Sequence, residues 1–563
     1  MRSPPTRVAV ALAATVAVAM IVIVASGAVP PLSSDESPAQ PDRPDDPTTE
    51  GTVGYVEGYW ADDDLPVDES DDAVVEDDEL EAVVYRSMAR VEEIRNATFE
   101  ADVPVEVISR EEFQEDHGDV FVSLTEEERV ANNVTYEALF MVDRETDATA
   151  ELESMYGGTV EGYYVDGRIV IVSETPENPE LNEVVLGHEL VHALQDQRFG
   201  LRSFERGTID QENAVNGLVE GDAARVDVEY ERRCGDEWDC LRPGDAQSDG
   251  PTQLNWGIYL TLYQPYSDGP DYVDSLREAG DGWAAVDAAY DEPPPSSSTV
   301  IHHEEREPAD VSVPDRSSDA WERLEINGTV ATERAGEAAM VAMFAADSLA
   351  SRDSSVIDRD ALLGDDPTTY DYDQPYTNGW AGDELVTYVD ADAGANATAA
   401  DAGYVWQTEW RSSDHARQFA SGYLELLEGH DAEAVDDRRD TYVIDDEFPG
   451  AYAIERDGET VTIVRAPTVE QLDGIRDGAA PEGEDTIERV NVSDDDDDAN
   501  AAVNDDVNDD TIAGGFAAPG AGAAVAIVVT AVVVRARAAA DWEPGSETAA
   551  PDPGALGCDR GRA

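Results

Sequence analysis

Two uncharged, mostly apolar runs bracket this chain, residues 8–24 near one end and residues 516–534 near the other, and they dictate where everything between them must fold. Arg2 and Arg7 precede the first run and small residues follow it at 26–28. That is the layout of a secretory signal over residues 1–33, with an uncleaved anchor as the alternative because the run is long for a signal core. The second run has about the ~20 residues that span a bilayer, and Arg535 and Arg537 follow at once. The excess of arginine on that side predicts a membrane segment at 514–537, a short cytoplasmic tail at 538–563 and a main body outside the cell. An oxidising exterior makes Cys234 and Cys240, in "CGDEWDC", an expected disulfide, since their spacing is wider than a zinc knuckle's. N-x-S/T triplets at Asn96, Asn133, Asn327, Asn396 and Asn491 suit a glycosylated surface protein.

The body between the runs is strongly acidic. The chain carries 126 Asp and Glu against 36 basic residues, all of them arginine, for a net charge of −90. Such a surface repels itself in dilute buffer and is tolerated where concentrated salt screens it. Nucleic acid is excluded as a partner, because binding it needs a basic footprint. Residues 34–54, rich in Pro, Asp, Ser and Thr, read as a disordered spacer, and residues 476–513, ending in "SDDDDDANAAVNDDVNDDT", as an extended acidic stalk.

Local patterns predict an α+β fold. Leu80, Val83, Val84, Met88 and Val91 recur at helical steps. "TVEGYYVDGRIVIVSE" reads as two strands about an Asp166-Gly167 turn. Helices follow at about 181–198 and over "QENAVNGLVEGDAARVDVEYERR". After the Pro-rich "DEPPPSSST", helices ("AGEAAMVAMFAADSLA", "DHARQFASGYLELLEG") mix with strands ("GYVWQTEW", "TYVIDD", "ETVTIVRA"). Gly379, Trp380, Gly382 and Asp383 read as a packed turn. These signals divide the body into a domain at 55–300 and an α+β region at 301–475.

The chemistry concentrates in "LGHELVHALQDQRFG", residues 186–200, in a chain with 7 histidines. On a helix, residues four apart share a face ~6 Å apart, so His188 and His192 aim at one ion while Glu189 points beside it. Zinc lowers the pKa of a water it holds towards ~7, and a neighbouring carboxylate takes that proton and hands it to a leaving amine. A third ligand is needed. Asp196 lies ~12 Å along the axis from His188, too far to converge. Glu220, in "NGLVEGDAARVD" on the next helix, is the better candidate, because a charge against that helix's apolar face is costly unless it binds something. Asp222 is the expected acceptor for an imidazole N–H.

"HELVHALQDQRF" followed by "LVEGDA" resembles the metal-binding core of zincin metallopeptidases of the gluzincin type, over about residues 166–230. The resemblance implies a zincin-like core with zinc on His188, His192 and Glu220, Glu189 as general base, and an edge strand, here "GRIVIVSE" at 167–174, that aligns a peptide or protein substrate. In that family an aspartate four residues after the third ligand orients a histidine. That position is Ala224 here, and Asp222 is the nearest acid. The architecture also resembles exported surface proteins of halophilic archaea, in which segments like "STVIHHEE", "NGWAGD" and "EWRSSDHARQFA" recur. That resemblance assigns His302 a role in stabilising an oxyanion, with a polar loop pair of His302 and His303 as the plain alternative. The C-terminal end is similar to a PGF-CTERM sorting signal, with Gly514-Gly515-Phe516 in place of Pro-Gly-Phe, which implies a sorting enzyme as partner and attachment to the membrane. The expected function is a membrane-anchored extracellular zinc peptidase. The alternative is a structural or binding surface protein that keeps the same frame and cuts nothing.

Overall fold

The computed structural model describes residues 43–490 except 70–72, 116–123, 145, 158–159, 236, 244–253, 351–354, 364–368 and 394–396. The apolar runs at 8–24 and 516–534, Cys558, the triplets at Asn396 and Asn491 and the sorting segment lie outside the described residues. Among the described residues no helix is long and apolar enough to cross a membrane. The elements below all belong to the unit that begins at Thr48.

The first half is built on helix α1 (Asp77–Arg95) and a small sheet of β1 (Val105–Ser109), β2 (Gly162–Val165) and β3 (Arg168–Ser173). Asp166 and Gly167 both take positive φ, 51° and 82°, which is the turn that joins β2 to β3 as a tight hairpin. β1 pairs parallel to β3, so the order is β1-β3-β2. The strand expected at the edge, 167–174, is therefore the central one. Its unbroken apolar run has a physical reason: Val170 and Val172 enter one core while Ile169 and Ile171 enter another, so both faces are covered. β1 and β2 are the edge strands.

Helices α2 (Glu183–Phe199) and α3 (Ile209–Arg233) follow. α2 buries Leu186, Leu190, Val191 and Leu194 against Val83, Met88 and Val91 of α1. The long helix α4 (Trp256–Ala279) crosses α3 where glycines let the backbones touch: a Cβ on Gly221 would lie 2.2 Å from the Gly269 carbonyl oxygen. The short helix α5 (Ser297–His302) also packs here, with Val300 against Gly217.

Helix α6 (Gly336–Leu349) leads into an eight-stranded antiparallel sheet whose five longest strands are β4 (Trp380–Asp390), β5 (Gly403–Trp410), β6 (Thr441–Ile444), β7 (Gly450–Asp457) and β8 (Thr460–Ala466), in the order β6-β7-β8-β5-β4. Helix α7 (Ser413–Gly429) lies against it. The expected packed turn at 379–383 is mostly strand: Trp380 opens β4, and a register shift between Trp380 and Gly382 gives the stretch its turn-like look. Asp383 is buried there and accepts from the Ala335 and Gly336 N–H groups and from Nε1 of Trp380 and Trp406, so it ties the start of α6 to two strands.

Three expected boundaries move. Gly54 donates its N–H to buried Glu92, so the folded part starts inside the proposed spacer. Ile258 and Ile301 share a core with Met340, Phe344 and Trp406, so packing runs across the 300/301 boundary. Thr486 and Ile487 bond Asp440, and Val490 bonds Ser421, so residues to 490 fold back onto the body and any stalk begins later. Cys234 and Cys240 are joined by a disulfide just past α3. Asn96 and Asn327 are exposed, whereas Asn133 sits within a helix and accepts from the Ala148 N–H.

Candidate metal centre

α2 starts cleanly because Asn182 caps it, accepting from the Val184 N–H at 3.1 Å, and it stops at Gly200 in a left-handed conformation. Its first residue, Glu183, is buried and receives Arg86, Arg90, Ser87, Tyr230 and the Leu241 N–H. A carboxylate suits the positive end of a helix, and this one pins α2 to α1, α3 and the disulfide loop together. Tyr230 near the end of α3 meets the start of α2, while Gln195 near the end of α2 reaches Val219 and Asp222. The two helices are thus antiparallel, which places Glu220 opposite the histidine pair.

The geometry is that of three converging acceptors. Nε2 of His188 and Nε2 of His192 each lie 3.4 Å from Oε2 of Glu220, and one ligand atom from each residue lies within 4.8 Å of the others. All are buried: His188 is 5 %, Glu189 1 %, His192 0 % and Glu220 2 % exposed. His188 donates its Nδ1–H to Asp227 at 2.6 Å, and His192 donates its Nδ1–H to Oε1 of Gln195 at 2.9 Å. Each ring therefore turns its Nε2 inward, towards Oε2 of Glu220. Two ring nitrogens turned on a buried carboxylate are stable only with positive charge among them, as protons or as a cation. The His188–His192–Glu220 group could hold a metal ion, and its donor set of two imidazoles and a carboxylate fits one.

Protons show the same demand for positive charge. Burial alone would lower the His188 and His192 pKa values, but Asp227 and Glu220 hold His188 well above its ordinary value and Glu220 raises His192. Burial would raise the Glu220 carboxyl, yet the rings of His192 and His188 hold it well below the usual carboxylate range. Glu189 goes the other way, pushed up to about 7 by burial against the pull of both histidines. Its two oxygens are buried without hydrogen-bond partners, and its Cγ lies 3.7 Å from where a Cβ would stand on Gly162 of edge strand β2.

Two expected residues are placed elsewhere. Asp222 touches neither imidazole. It is held by Arg95 and Tyr290 and receives Gln195, because it lies just over half a turn round α3 from Glu220. The acceptor for His188 is Asp227, seven residues past Glu220 and so on the same stripe of the helix. His302 is the last residue of α5, with Nε2 2.9 Å from Oε1 of Glu337 and Nδ1 3.6 Å from Asp373. Its partners are thus on α6 and in the segment before β4, and none of them is His188, Glu189, His192 or Glu220.

The polar run after the second histidine also has work assigned to each residue. Gln195 orients His192; Asp196 accepts from the Tyr164 hydroxyl and the Leu201 N–H; Gln197 clasps the backbone at Glu100 and Ala101. Asp196 thus belongs to the helix end and to β2.

A family model described as a domain of unknown function, DUF8575, matches residues 322–476, which hold the larger sheet but not α2 or α3. No curated protein and no solved structure matches the chain.

Proposed function

We propose that the chain is a zinc-dependent peptidase with a zincin-like core, exported and held at the membrane by its C-terminal segment. The observation that carries this reading is the pair of buried Nε2 atoms facing Glu220, with the unpartnered Glu189 carboxylate beside them. His188, His192 and Glu220 hold the ion, which when bound acidifies water and polarises a carbonyl. Glu189 does the proton work. It takes a proton from the attacking water as oxygen joins the carbonyl carbon, and delivers it to the nitrogen as the C–N bond breaks. Gly162 of β2 brings that strand's backbone against the Glu189 side chain, which is where a peptide strand would have to be presented to the carboxylate.

A second reading, a surface protein that holds the ion without cutting, is favoured by the burial of all four residues. Glu189→Gln separates the two. It makes no bond to the proposed ligands, so the variant keeps its metal and fold while losing ~10²–10⁴ in rate. The test is a peptide-library digest in molar salt alongside metal analysis. Wild type and variant equally inert with metal bound in both would sink the peptidase and leave the second reading.

A further inference from the structure

The two histidines of the metal centre are oriented by unlike means. His188 donates to Asp227, a charged group whose side chain is 25 % exposed. His192 donates to a neutral amide on its own helix, three residues on, with no solvent exposure to speak of. An amide can present either end, so something must decide which one meets the ring. Nε2 of Gln195 lies 3.0 Å from the Val219 carbonyl and 3.2 Å from Oδ2 of Asp222, two acceptors and no donor. Only the NH₂ end satisfies both, which leaves Oε1 for His192 and forces the His192 proton onto Nδ1. Asp222 is in turn fixed from three sides: Nε and Nη2 of Arg95 at 2.8 and 3.3 Å, and the Tyr290 hydroxyl at 2.8 Å. Arg95 closes α1 and also binds Asp287 at 2.7 Å, with its guanidinium 4.4 Å from the centre of the Trp283 ring.

We propose that Gln195 is a positioning residue of the metal centre, and that the chain Arg95–Asp222–Gln195 sets the tautomer of His192 so that its Nε2 lone pair faces Glu220. α1, which contributes no ligand, is thereby coupled to the readiness of the site to accept an ion. The part concerning metal rests on the proposed zinc reading; the tautomer does not.

The sharpest test exchanges donor and acceptor within the chain. Gln195→Glu keeps an acceptor for the His192 Nδ1–H but turns its other carboxylate oxygen towards Val219 and Asp222, acceptor against acceptor, and the resulting displacement should weaken zinc binding by ~10–100-fold, the size of loss usual when an outer partner of a ligand is disturbed. Asp222→Asn offers that oxygen an N–H. The double variant Gln195→Glu, Asp222→Asn should therefore bind zinc more tightly than Gln195→Glu alone, a non-additive recovery in chelator competition. Imidazole ¹⁵N spectra of the metal-free protein at alkaline pH supply a readout that needs no metal. His192 should carry its proton on Nδ1 in the wild type and lose that preference in Gln195→Leu. Wild-type spectra with the proton on Nε2, or a double variant no better than Gln195→Glu, would overturn the proposal. Absence of zinc binding with the Nδ1 tautomer intact would remove the zinc reading and leave the tautomer assignment standing.

Discussion

Asp383 and Glu189 are both buried carboxylates, 2 % and 1 % exposed, and their surroundings treat them in opposite ways. Asp383 receives four donors, two from the backbone at the start of α6 and two from tryptophan rings. Glu189 receives none. A saturated buried acid holds elements together, because each bond it accepts would otherwise be an orphaned donor. A buried acid with no donor is a cost the fold carries, and it is intelligible where the group has something to do beyond folding. The matched family domain contains the saturated acid, and the unsatisfied one lies outside it.

Substitution at these two positions should therefore diverge. Asp383→Ala orphans four donors and should cost about 4 kcal/mol of stability, at roughly 1 kcal/mol or more for each, while leaving metal binding intact. Chemical unfolding in molar salt checks this, and a loss below about 1 kcal/mol would undo the contrast with Glu189→Gln, for which little or no loss is expected.

The neighbourhood of Asp383 also gives a pH signature. Asp210 accepts from the N–H and hydroxyl of Ser297; burial pushes its carboxyl up to about 7, the charge of Asp383 adds to this, and Arg334, 3.9 Å away, opposes it. An unfolded aspartate titrates near ~4, so between about pH 4 and 7 the native state keeps a proton that the unfolded state has lost. Stability is fully present below that window and falls as pH rises through it, by a few kcal/mol at most. Asp210→Asn should flatten the decline between pH 5 and 7. Equal slopes in wild type and variant would show that Asp210 does not sense its burial.

The smallest of these effects belongs to the disulfide. Cys234 and Cys240 are separated by 6 positions, a short loop, so replacing both with serine should cost only about 2 kcal/mol in melting experiments. A much larger loss would mean that the Leu241 N–H, which bonds Glu183 at the start of α2, is released along with it.

What could be read beforehand followed the range of the interactions. Helical periodicity located α1, α2 and α3, and the Asp166-Gly167 pair located the hairpin, because both are local. The convergence of Glu220 on the histidines followed from helix spacing and the cost of a buried charge. Asp227 was within reach of the same reasoning, since it lies on the stripe of Glu220, but a search for the family's four-residue step stops at Ala224. Gln195 gave no signal by type: an amide becomes an orienting group only when Val219 and Asp222 are placed around it. The resemblance put β3 at the edge, and a short apolar run does not reveal that β1 covers its other side. α4 escaped notice because Pro265 and Pro270 lie inside it, and the opening of β4 because its glycines imitate a turn.

The most direct test of the acceptor cluster is a zinc titration of the metal-free protein in molar salt, followed by calorimetry and metal analysis. One ion per chain is expected for the wild type and for Asp196→Ala. His188→Ala, His192→Ala and Glu220→Ala should each lose tight binding, because two ligands hold the ion poorly. No binding by the wild type, or full occupancy in His192→Ala, would contradict the assignment of His188, His192 and Glu220 as a metal site.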